Sequence, residues 1–280
     1  MLFLKRYVYF LCKPLYSILG TDKYGEHCHT SMYRYLWSNG PKEVLEMGDY
    51  TFKEHYGKAI PSFPPRLVLR DYVLGKGKKN NIDRFIRFST VVRHAEPKGE
   101  QFILTSQNLK TKEEKQEIFD YLIICSGHFS VPNLPTYPGI DDFKGRVMHS
   151  HDFRDAAGFK GQKMLLIGNS YSAEDIALQC NKYGVEDITL SYRSAATGFK
   201  WPKGIREIPQ LVKYEDDVFH FIDGSTDTFD VVMFCTGYLH HFPYLTESIR
   251  LVAKNHIFID GLYKGVVLNK NPRVMYIGMC

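Results

Sequence analysis

The stretch that decides the fold is Leu165-Leu166-Ile167-Gly168-Asn169-Ser170-Tyr171-Ser172-Ala173-Glu174-Asp175. An apolar run, a glycine and a helix-like segment follow one another here, which is the strand–turn–helix context of a dinucleotide-binding loop. Of the glycines in G-x-G-x-x-G only Gly168 is kept, since Ser170 replaces the second and Ala173 replaces the third, a permitted variant. The N–H groups and partial positive charge at the helix start would bind a pyrophosphate. An ordinary strand–helix turn without a ligand is the alternative.

The residues around this loop complete a βαβ unit. The apolar run 163–167 predicts a buried strand, residues 172–183 predict a helix that ends at Gly184, and residues 187–192 predict the next strand. These elements fit within about 30 residues, which is the usual size of such a unit. The sequence therefore predicts a parallel α/β domain around Gly168.

Other segments predict further strands. The apolar runs at 119–125 and 229–235 are each closed by a nearby glycine, which is typical of buried parallel strands. Residues 84–94 and 101–105 predict an antiparallel hairpin, because the turn-forming residues Pro97-Lys98-Gly99 separate them. The chain is thus expected to begin with an irregular part, to continue through a small antiparallel insertion and then to enter the α/β domain.

Arg193 indicates which dinucleotide would bind. It lies about 25 residues after Gly168, at the end of the strand that follows the helix. In this fold an acidic residue near that place binds a ribose hydroxyl, whereas an arginine accommodates the 2′-phosphate. Arg193 therefore favours NADP(H) over NAD(H), and a solvent-facing arginine at a strand end is the alternative.

Composition excludes several classes of protein. The 280 residues carry a formal charge of +5 with scattered Lys and Arg, so no nucleic-acid partner is expected. No C-x-x-C pair occurs among the six cysteines, so we expect no metal site and a reducing, cytoplasmic location. The apolar N-terminus, Met1–Leu19, is interrupted by Lys5, Arg6 and Lys13, so we expect no membrane span there.

A second string precedes the dinucleotide loop: Phe143-Lys-Gly145-Arg-Val-Met-His149-Ser-His-Asp-Phe153. Its F-x-G-x-x-x-H-x-x-x-F pattern resembles the identifying motif of flavin-containing monooxygenases. Related Baeyer–Villiger monooxygenases carry a similar motif that ends in Trp, so Phe153 favours the branch that oxygenates amines and sulfides. A linker between two domains, with His149 bonded to backbone, is the alternative interpretation.

More of the chain supports this resemblance, which covers about residues 25–280. The segment Cys235-Thr236-Gly237-Tyr238 resembles the strand by which the chain of a family member returns to the flavin domain. Ser126-Gly127 resembles the earlier of the two such returns in the family. The segment from His29 to Lys42 and the string Phe199-Lys-Trp201-Pro202 are especially similar to the bacterial family members that oxygenate trimethylamine.

The resemblance implies the α/β fold of a flavoprotein with two dinucleotide-binding domains. Residues 25–155 would form an incomplete FAD domain with an antiparallel insertion, 156–245 an inserted Rossmann-like NADP domain, and 246–280 the truncated return to the FAD domain, while 1–24 are unmatched. In this family NADPH reduces FAD, O2 adds to the flavin as a C4a-hydroperoxide, and a small tertiary amine or sulfide is oxygenated. A homodimer is compatible with the family.

The same resemblance implies the site residues. Asn39 would lie beside the flavin and the nicotinamide, and Tyr171 would gate oxygen and the nicotinamide, while simple turn residues are the alternative for both. Arg193 and Ser172 would bind the NADP phosphates. The expected cofactor-binding residues are Gly168, Asn169, Ser170, Ser172, Ala173, Arg193, His29, Met32, Trp37, Val92, Ser126, Gly127, Thr236 and Gly237.

One expected segment is missing from the sequence. A family member should begin with a strand and G-x-G-x-x-G for the FAD diphosphate, but the only G-x-G here is Gly75-Lys-Gly77, which we interpret as a turn. The family also continues beyond Cys280, so we expect truncation at both ends and hypothesise an out-of-register N-terminus. The alternative function is a catalytically inactive NADP-binding remnant, and a related N-hydroxylase or sulfide oxygenase is a further alternative.

Overall fold

The computed structural model describes residues 21–251 and 259–278. Within these residues the chain divides into two compact units. The first unit contains the described residues up to His128 and from His240 onward, and the second unit is Phe129–Leu239.

The elements are numbered along the chain. The α-helices of the described residues are α1 (Lys42–Leu45), α2 (Phe52–Tyr56), α3 (Arg66–Lys79) and α4 (Tyr171–Lys182). Short 3-10 helices lie at Ile82–Phe85, Ile140–Asp142, Ser150–Asp152 and Ala157–Phe159. The strands are β1 (Thr90–Lys98), β2 (Gln101–Asn108), β3 (Glu114–Phe119), β4 (Leu122–Ile124), β5 (Val131–Pro132), β6 (Arg146–His149), β7 (Lys163–Ile167), β8 (Asp187–Ser191), β9 (Ile205–Ile208), β10 (Leu211–Glu215), β11 (Val218–Phe221), β12 (Thr226–Asp227), β13 (Val231–Phe234), β14 (Tyr238–Leu239), β15 (Leu262–Tyr263), β16 (Val267–Leu268) and β17 (Val274–Tyr276).

The second unit is built on a five-stranded parallel sheet in the order β6-β13-β7-β8-β9. The three inner strands, β13, β7 and β8, are almost wholly buried, as expected for strands covered on both faces. The predicted strand at 163–167, the helix that follows it and the next strand are all confirmed. Gly184 follows the helix with φ +91°, a conformation that glycine adopts without a steric penalty.

The edge strand β6 explains where the second unit begins. The NADP domain was expected over residues 156–245, yet the compact unit starts at Phe129. Its extra residues include β6, which pairs in parallel with β13 from Arg146 to His149. The string from Phe143 to Phe153 therefore contributes a strand, Arg146–His149, and a short 3-10 helix, Ser150–Asp152, to this unit.

An aromatic layer covers one face of the parallel sheet. Strands β10, β11 and β12 form an antiparallel sheet whose buried side chains pack against β7 and β13. The ring of Phe219 contacts those of Tyr214 and Phe229, with centroids 4.7 and 5.4 Å apart. Burying these rings removes a large apolar area from water and so stabilises the layer on the sheet.

The described residues of the first unit form two sheets. Strands β1, β2 and β3 form an antiparallel sheet, and β15, β16, β17 and β4 form another in which β17 and β4 are parallel. The predicted hairpin is confirmed, but its first strand begins at Thr90 because Arg84 lies in a 3-10 helix. The run 119–125 is divided, since Phe119 ends β3 opposite Phe102 and the next strand begins only at Leu122.

In the described part of the first unit, residues 21–41 contain no helix or strand, as expected of an irregular segment, whereas three α-helices lie between Lys42 and Lys79. The prediction of a turn at Gly75-Lys-Gly77 is wrong, because α3 continues through both glycines to Lys79. A Cβ on Gly75 would lie 2.3 Å from Cε1 of His55 and 2.8 Å from the Tyr50 hydroxyl. Gly75 is therefore explained by close side-chain packing on the helix and not by a turn.

None of the helices in the described residues is long and apolar enough to cross a membrane. The expectation for Met1–Leu19 falls outside these residues. Burial raises the pKa of the Cys125, Cys180 and Cys235 thiols, that of Cys180 to about 12. These three cysteines therefore behave as small apolar groups.

Candidate functional site

The turn after β7 can be formed only by glycine. Gly168 has φ +113°, and a Cβ there would lie 2.5 Å from the carbonyl oxygen of Cys235. Its N–H donates to the Ser191 carbonyl at 2.8 Å, which fixes the turn to the end of the neighbouring strand β8. The first glycine of the loop is thus required both by backbone conformation and by the close approach of β13.

The start of α4 has N–H groups that the helix itself does not use. Ser170 is the N-cap residue, yet its side chain makes no capping hydrogen bond. The first N–H groups of a helix have no acceptor within it, and at this helix they belong to Tyr171, Ser172 and Ala173. Ser172 is half-buried and Ala173 is fully buried, so the helix packs closely on the sheet at the third glycine position of the pattern. This arrangement suits an anion such as a diphosphate.

Arg193 lies two residues after β8, on the same edge of the sheet. Its side chain is exposed, and its charge lowers the pKa of the Tyr137 phenol, although burial raises that pKa overall. The guanidinium belongs to the segment 193–201, which contains no regular strand or helix. The exposed charge is thus available to a phosphate that reaches this edge.

The segment 193–201 is tied to the loop after β7 through Glu207, a residue that the sequence did not single out. Nδ2 of Asn169 donates to the Ala195 carbonyl at 2.8 Å and lies 3.3 Å from Oε1 of Glu207. The Glu207 carboxylate also accepts hydrogen bonds from Thr197 and from Nε1 of Trp201. A half-buried acidic residue near the carboxyl end of a strand, between Arg206 and Ile208, is the sequence signal that could have identified it.

The identifying string builds the outer edge of the parallel sheet. A Cβ on Gly145 would lie 2.5 Å from the Asp230 carbonyl and 2.2 Å from the Phe143 ring. Phe153 is completely buried and stacks on Phe159 with ring centroids 5.9 Å apart. The small and aromatic positions of the string therefore have packing reasons within this unit.

His149, the polar member of the string, is buried. Its Nδ1 accepts a hydrogen bond from the His151 N–H at 3.0 Å, while Nε2 has no hydrogen-bond partner among the described residues. Burial, reinforced by the nearby His151, lowers the pKa of His149 from 6.5 to about 4. The imidazole is therefore neutral near pH 7.

Thr236 and Gly237 meet an earlier part of the second unit. Oγ1 of Thr236 donates to the Asn133 carbonyl at 2.5 Å, and the Asn133 N–H donates to the Gly237 carbonyl at 3.0 Å. The adjacent strands β5 and β14 pair antiparallel. Both residues thus lie where two chain segments are joined by hydrogen bonds. Their contact with a cofactor stays a prediction.

His29, Ser126 and Gly127 come together in the first unit. Nε2 of His29 lies 2.5 Å from the Ser126 carbonyl, and the buried Ser126 hydroxyl lies 3.0 Å from that of Tyr244. Gly127 follows with φ +72°. Val92 lies elsewhere in this unit, 7% exposed in the hydrophobic core, so packing alone accounts for it. Binding of a cofactor by any of the four stays a prediction.

Asn39 occupies the tip of a tight turn in the first unit. The Ser38 hydroxyl donates to the Gly40 carbonyl at 2.7 Å and fixes this turn, and Asn39 itself is exposed. Trp37 is 53% exposed, and the Met32 N–H donates to Oγ1 of Thr30 at 3.1 Å. Tyr171, in the second unit, is 73% exposed at the start of α4. The exposed side chains of Asn39, Trp37 and Tyr171 are free to meet a ligand.

The residues described fit one dinucleotide. In residues 21–251 and 259–278, α4 is the one helix that directly follows a strand through a glycine turn. This turn, the first N–H groups of α4 and Arg193 together suit the diphosphate and 2′-phosphate of NADPH. The same residues provide no second cradle of this kind, so the diphosphate of FAD has no matching site in them.

Comparison with protein families places this architecture among known proteins. Residues 18–199 and 205–279 match the family described as flavin-binding monooxygenase-like. The matched region begins before residue 25, from which the resemblance was recognised in the sequence.

Individual relatives agree with the family match. The trimethylamine monooxygenase of Methylocella silvestris is 52% identical over 262 residues, which are 93% of this chain and 58% of that protein. A crystal structure of Tmm from Pelagibacter sp. strain HTCC7211 superposes with a TM-score of 0.90 at 50% identity, covering 95% of this chain and 60% of that one. The S-allyl-L-cysteine S-oxygenase of Allium sativum gives a TM-score of 0.83 at 26% identity, covering 96% and 63%. The chain thus spans about three fifths of the length of these relatives.

Proposed function

Because this chain belongs to the flavin-binding monooxygenase-like family, we propose that its second unit binds NADPH for the oxygenation of a small tertiary amine. The observation that carries the proposal is the cradle formed by the Gly168 turn and the start of α4, with the exposed Arg193 on the same sheet edge. The cradle would hold the diphosphate and the guanidinium would bind the 2′-phosphate.

Residues of the second unit bind the dinucleotide in this proposal, and Asn39 of the first unit also has a role. The N–H groups at the start of α4 and the Ser172 hydroxyl bind phosphate oxygens, and the buried Ala173 lets the helix approach the sheet. Arg193 distinguishes NADPH from NADH, because only NADPH carries a second anionic group on the adenosine ribose. Tyr171 and Asn39 orient the nicotinamide and the flavin, as the family resemblance implies.

FAD is the second cofactor that the family implies. When bound, it supplies the activation of O2, and the protein orients the reacting groups and excludes water. No step is assigned to FAD here, because the described residues lack a cradle for its diphosphate. NADPH binding and amine oxygenation are therefore separate parts of the proposal and are tested separately.

The substrate class is a small tertiary amine such as trimethylamine, or a sulfide, with O2 as the second substrate. Relatives about half identical to this chain are named trimethylamine monooxygenase, which favours the amine. Turnover of trimethylamine, dimethyl sulfide and ornithine, compared side by side with NADPH and added FAD, separates an amine oxygenase from a sulfide oxygenase and an N-hydroxylase. We also expect cytoplasmic location and compatibility with a homodimer.

Replacing the guanidinium tests NADPH binding. We expect Arg193→Ala to weaken NADPH binding roughly tenfold or more and to leave NADH binding nearly unchanged, because a charge-assisted contact to the 2′-phosphate is lost. Isothermal titration of both dinucleotides measures this. Lys182→Ala, which removes one exposed charge at the other end of α4, is the matched control and should change neither affinity. Equal weakening of both dinucleotides by Arg193→Ala would contradict the proposal.

Oxygenation is tested with the flavin present. In a longer chain that supplies a site for the FAD diphosphate, we expect NADPH to be consumed when FAD and trimethylamine are added, and Asn39→Ala to abolish this consumption while NADPH binding is kept. The purified 280-residue chain with added FAD is measured beside it. The alternative function, an inactive NADP-binding remnant, predicts NADPH binding without the yellow flavin absorbance and without consumption. Only the oxygenation part of the proposal would then be lost.

A further inference from the structure

Glu207 lies at the edge of the parallel sheet where NADPH is proposed to bind. It is the third residue of β9, and this strand pairs in parallel with β8, which leads directly into Arg193. It lies between the exposed Arg206 and the half-buried Ile208, and its own side chain is half-buried. A half-buried carboxylate in such a strand requires hydrogen-bond donors around it.

The Glu207 carboxylate receives these donors from the arginine-bearing segment and from the loop after β7. The Thr197 N–H donates to Oε1 at 2.9 Å, and the Thr197 hydroxyl donates to Oε2 at 2.8 Å. Nε1 of Trp201 donates to Oε2 at 3.1 Å, and Nδ2 of Asn169 lies 3.3 Å from Oε1. One side chain thus joins two segments that are separate in the sequence.

Arg193 lies between fixed points of the backbone. The Tyr192 N–H donates to the Ile208 carbonyl at 3.0 Å, immediately before the arginine. Two residues after it, the Ala195 carbonyl accepts from Asn169 at 2.8 Å, and Thr197 follows on Glu207. The Asn169 amide that binds the Ala195 carbonyl also lies 3.3 Å from Oε1 of Glu207, so the second fixed point depends on this carboxylate. The position of the arginine backbone therefore depends on Glu207 through Asn169.

The charge on Glu207 suits this role. Burial tends to raise its pKa, but the hydrogen bonds from Thr197, Trp201 and Asn169 outweigh burial, and the pKa lies below that of an ordinary glutamate. An ionised carboxylate only accepts hydrogen bonds, so it matches a surrounding made entirely of donors. Glutamine has the same shape, but its NH2 group would face these donors without an acceptor.

We propose that Glu207 is a positioning residue for recognition of the adenosine 2′-phosphate: it fastens segment 193–201 to the loop after β7 and so holds Arg193 where that phosphate binds. This inference rests on the proposed binding of NADPH. Glu207 itself does not touch the ligand, because its oxygens are occupied by Thr197, Trp201 and Asn169.

The test compares two small ligands that differ only in the phosphate concerned. Isothermal titration of the 280-residue chain with adenosine 2′,5′-bisphosphate and with adenosine 5′-monophosphate gives an affinity ratio that reports 2′-phosphate recognition. We expect Glu207→Gln to reduce this ratio about tenfold, the size of one lost charge-assisted contact, with little change for the monophosphate. Glu215→Gln, the same substitution at an exposed residue of β10, is the matched control and should leave the ratio unchanged.

A double variant shows whether Glu207 acts through Arg193. In the Arg193→Ala background, Glu207→Gln should produce no further reduction of the ratio, because the group that it positions is already absent. Independent, additive reductions would overturn the positioning role. Thr197→Ala removes one donor to the same carboxylate and should lower the ratio in the same direction by a smaller factor, so the test also holds if Glu207→Gln folds poorly.

The fluorescence of Trp201 reports the local structure around Glu207 independently of ligand binding. In a Trp37→Phe background Trp201 is the remaining tryptophan of the chain. Glu207→Gln should make its fluorescence more accessible to a neutral quencher, while the thermal midpoint stays near that of the parent. An unchanged affinity ratio in a folded Glu207→Gln protein would overturn the positioning role alone. A parent chain without preference for the bisphosphate would overturn the proposed NADPH specificity, and this inference with it.

Discussion

Two regions of the molecule each contain a tightly packed glycine and a buried or hydrogen-bonded histidine. The glycine is required by a backbone contact in one region and by a side-chain contact in the other. At the sheet edge of the second unit, Gly168 adopts φ +113° against the Cys235 carbonyl, and His149 is buried with one nitrogen unpartnered among the described residues. In the helical part of the first unit, Gly75 lies within α3 against His55. That histidine has Tyr50 and Asp71 within 2.7 and 2.9 Å of its two nitrogens.

The difference teaches that glycine spacing does not mark a dinucleotide site by itself. The one G-x-G of the sequence lies within a helix, where Gly75 is required by a neighbouring side chain. The turn after β7 keeps a single glycine of the pattern, but it has the strand before it and the helix after it. Backbone that approaches backbone leaves no room to adjust, whereas a side chain can move aside.

The largest loss of stability is expected at Gly168, where backbone approaches backbone. Gly168→Ala should destabilise the folded chain by about 4 kcal/mol, because the strain of a positive φ adds to an overlap with the Cys235 carbonyl. Chemical denaturation measures the loss. Gly224→Ala, which also has a positive φ but no atom within 4 Å of the added Cβ, should cost only about 1–2 kcal/mol. If both variants lost the same free energy of unfolding, the contact between residue 168 and the Cys235 carbonyl would contribute nothing to the difference.

His149 extends the comparison to pH. Its pKa is 6.5 when unperturbed and about 4 in the folded chain, so the unfolded chain takes up the proton first as the pH falls. Folding stability should therefore decrease between pH 6.5 and 4, by up to roughly 3 kcal/mol from this group. Denaturation of the parent and of His149→Gln across this range measures it. The variant, which does not titrate there, should lose less stability, and parallel pH curves would contradict the assignment.

The adjustable contact at Gly75 should cost less than the rigid one. Gly75→Ala gains helix propensity, but its Cβ displaces the His55 ring and the Tyr50 hydroxyl that contacts it, for a net loss of about 2 kcal/mol. Thermal unfolding measures this loss. If Gly75→Ala were as damaging as Gly168→Ala, side-chain and backbone contacts would not differ in the way described.

The smallest effect has the opposite sign. A Cβ on Gly77 would lie 3.4 Å from Cδ1 of Ile82, an ordinary contact, and the residue is inside α3. Gly77→Ala should therefore stabilise the chain by about 0.5–1 kcal/mol, the difference in helix propensity between the two residues. Thermal unfolding beside Gly75→Ala gives the contrast directly. Destabilisation by Gly77→Ala would indicate that this end of α3 needs glycine after all.

Local patterns were sufficient for the βαβ unit. The strand Lys163–Ile167, the helix Tyr171–Lys182 and the strand Asp187–Ser191 lie within one residue of the segments that the sequence predicted. Each is specified by its own apolar periodicity and by the glycines at its ends. The helices between Lys42 and Lys79 were largely missed, because their signals compete with turn-forming residues such as Gly75.

The sequence by itself determined the family, the strand–turn–helix around Gly168 and the presence of an arginine after the next strand, because these are encoded by neighbouring residues. Only the tertiary structure decided that Arg146–His149 is a strand of the same sheet and that Glu207 joins Asn169 to Thr197 and Trp201. Such contacts join residues far apart in the chain, 38 positions in the case of Asn169 and Glu207. A parallel strand or a carboxylate finds its partners only when the whole sheet has formed, and no local pattern records that outcome.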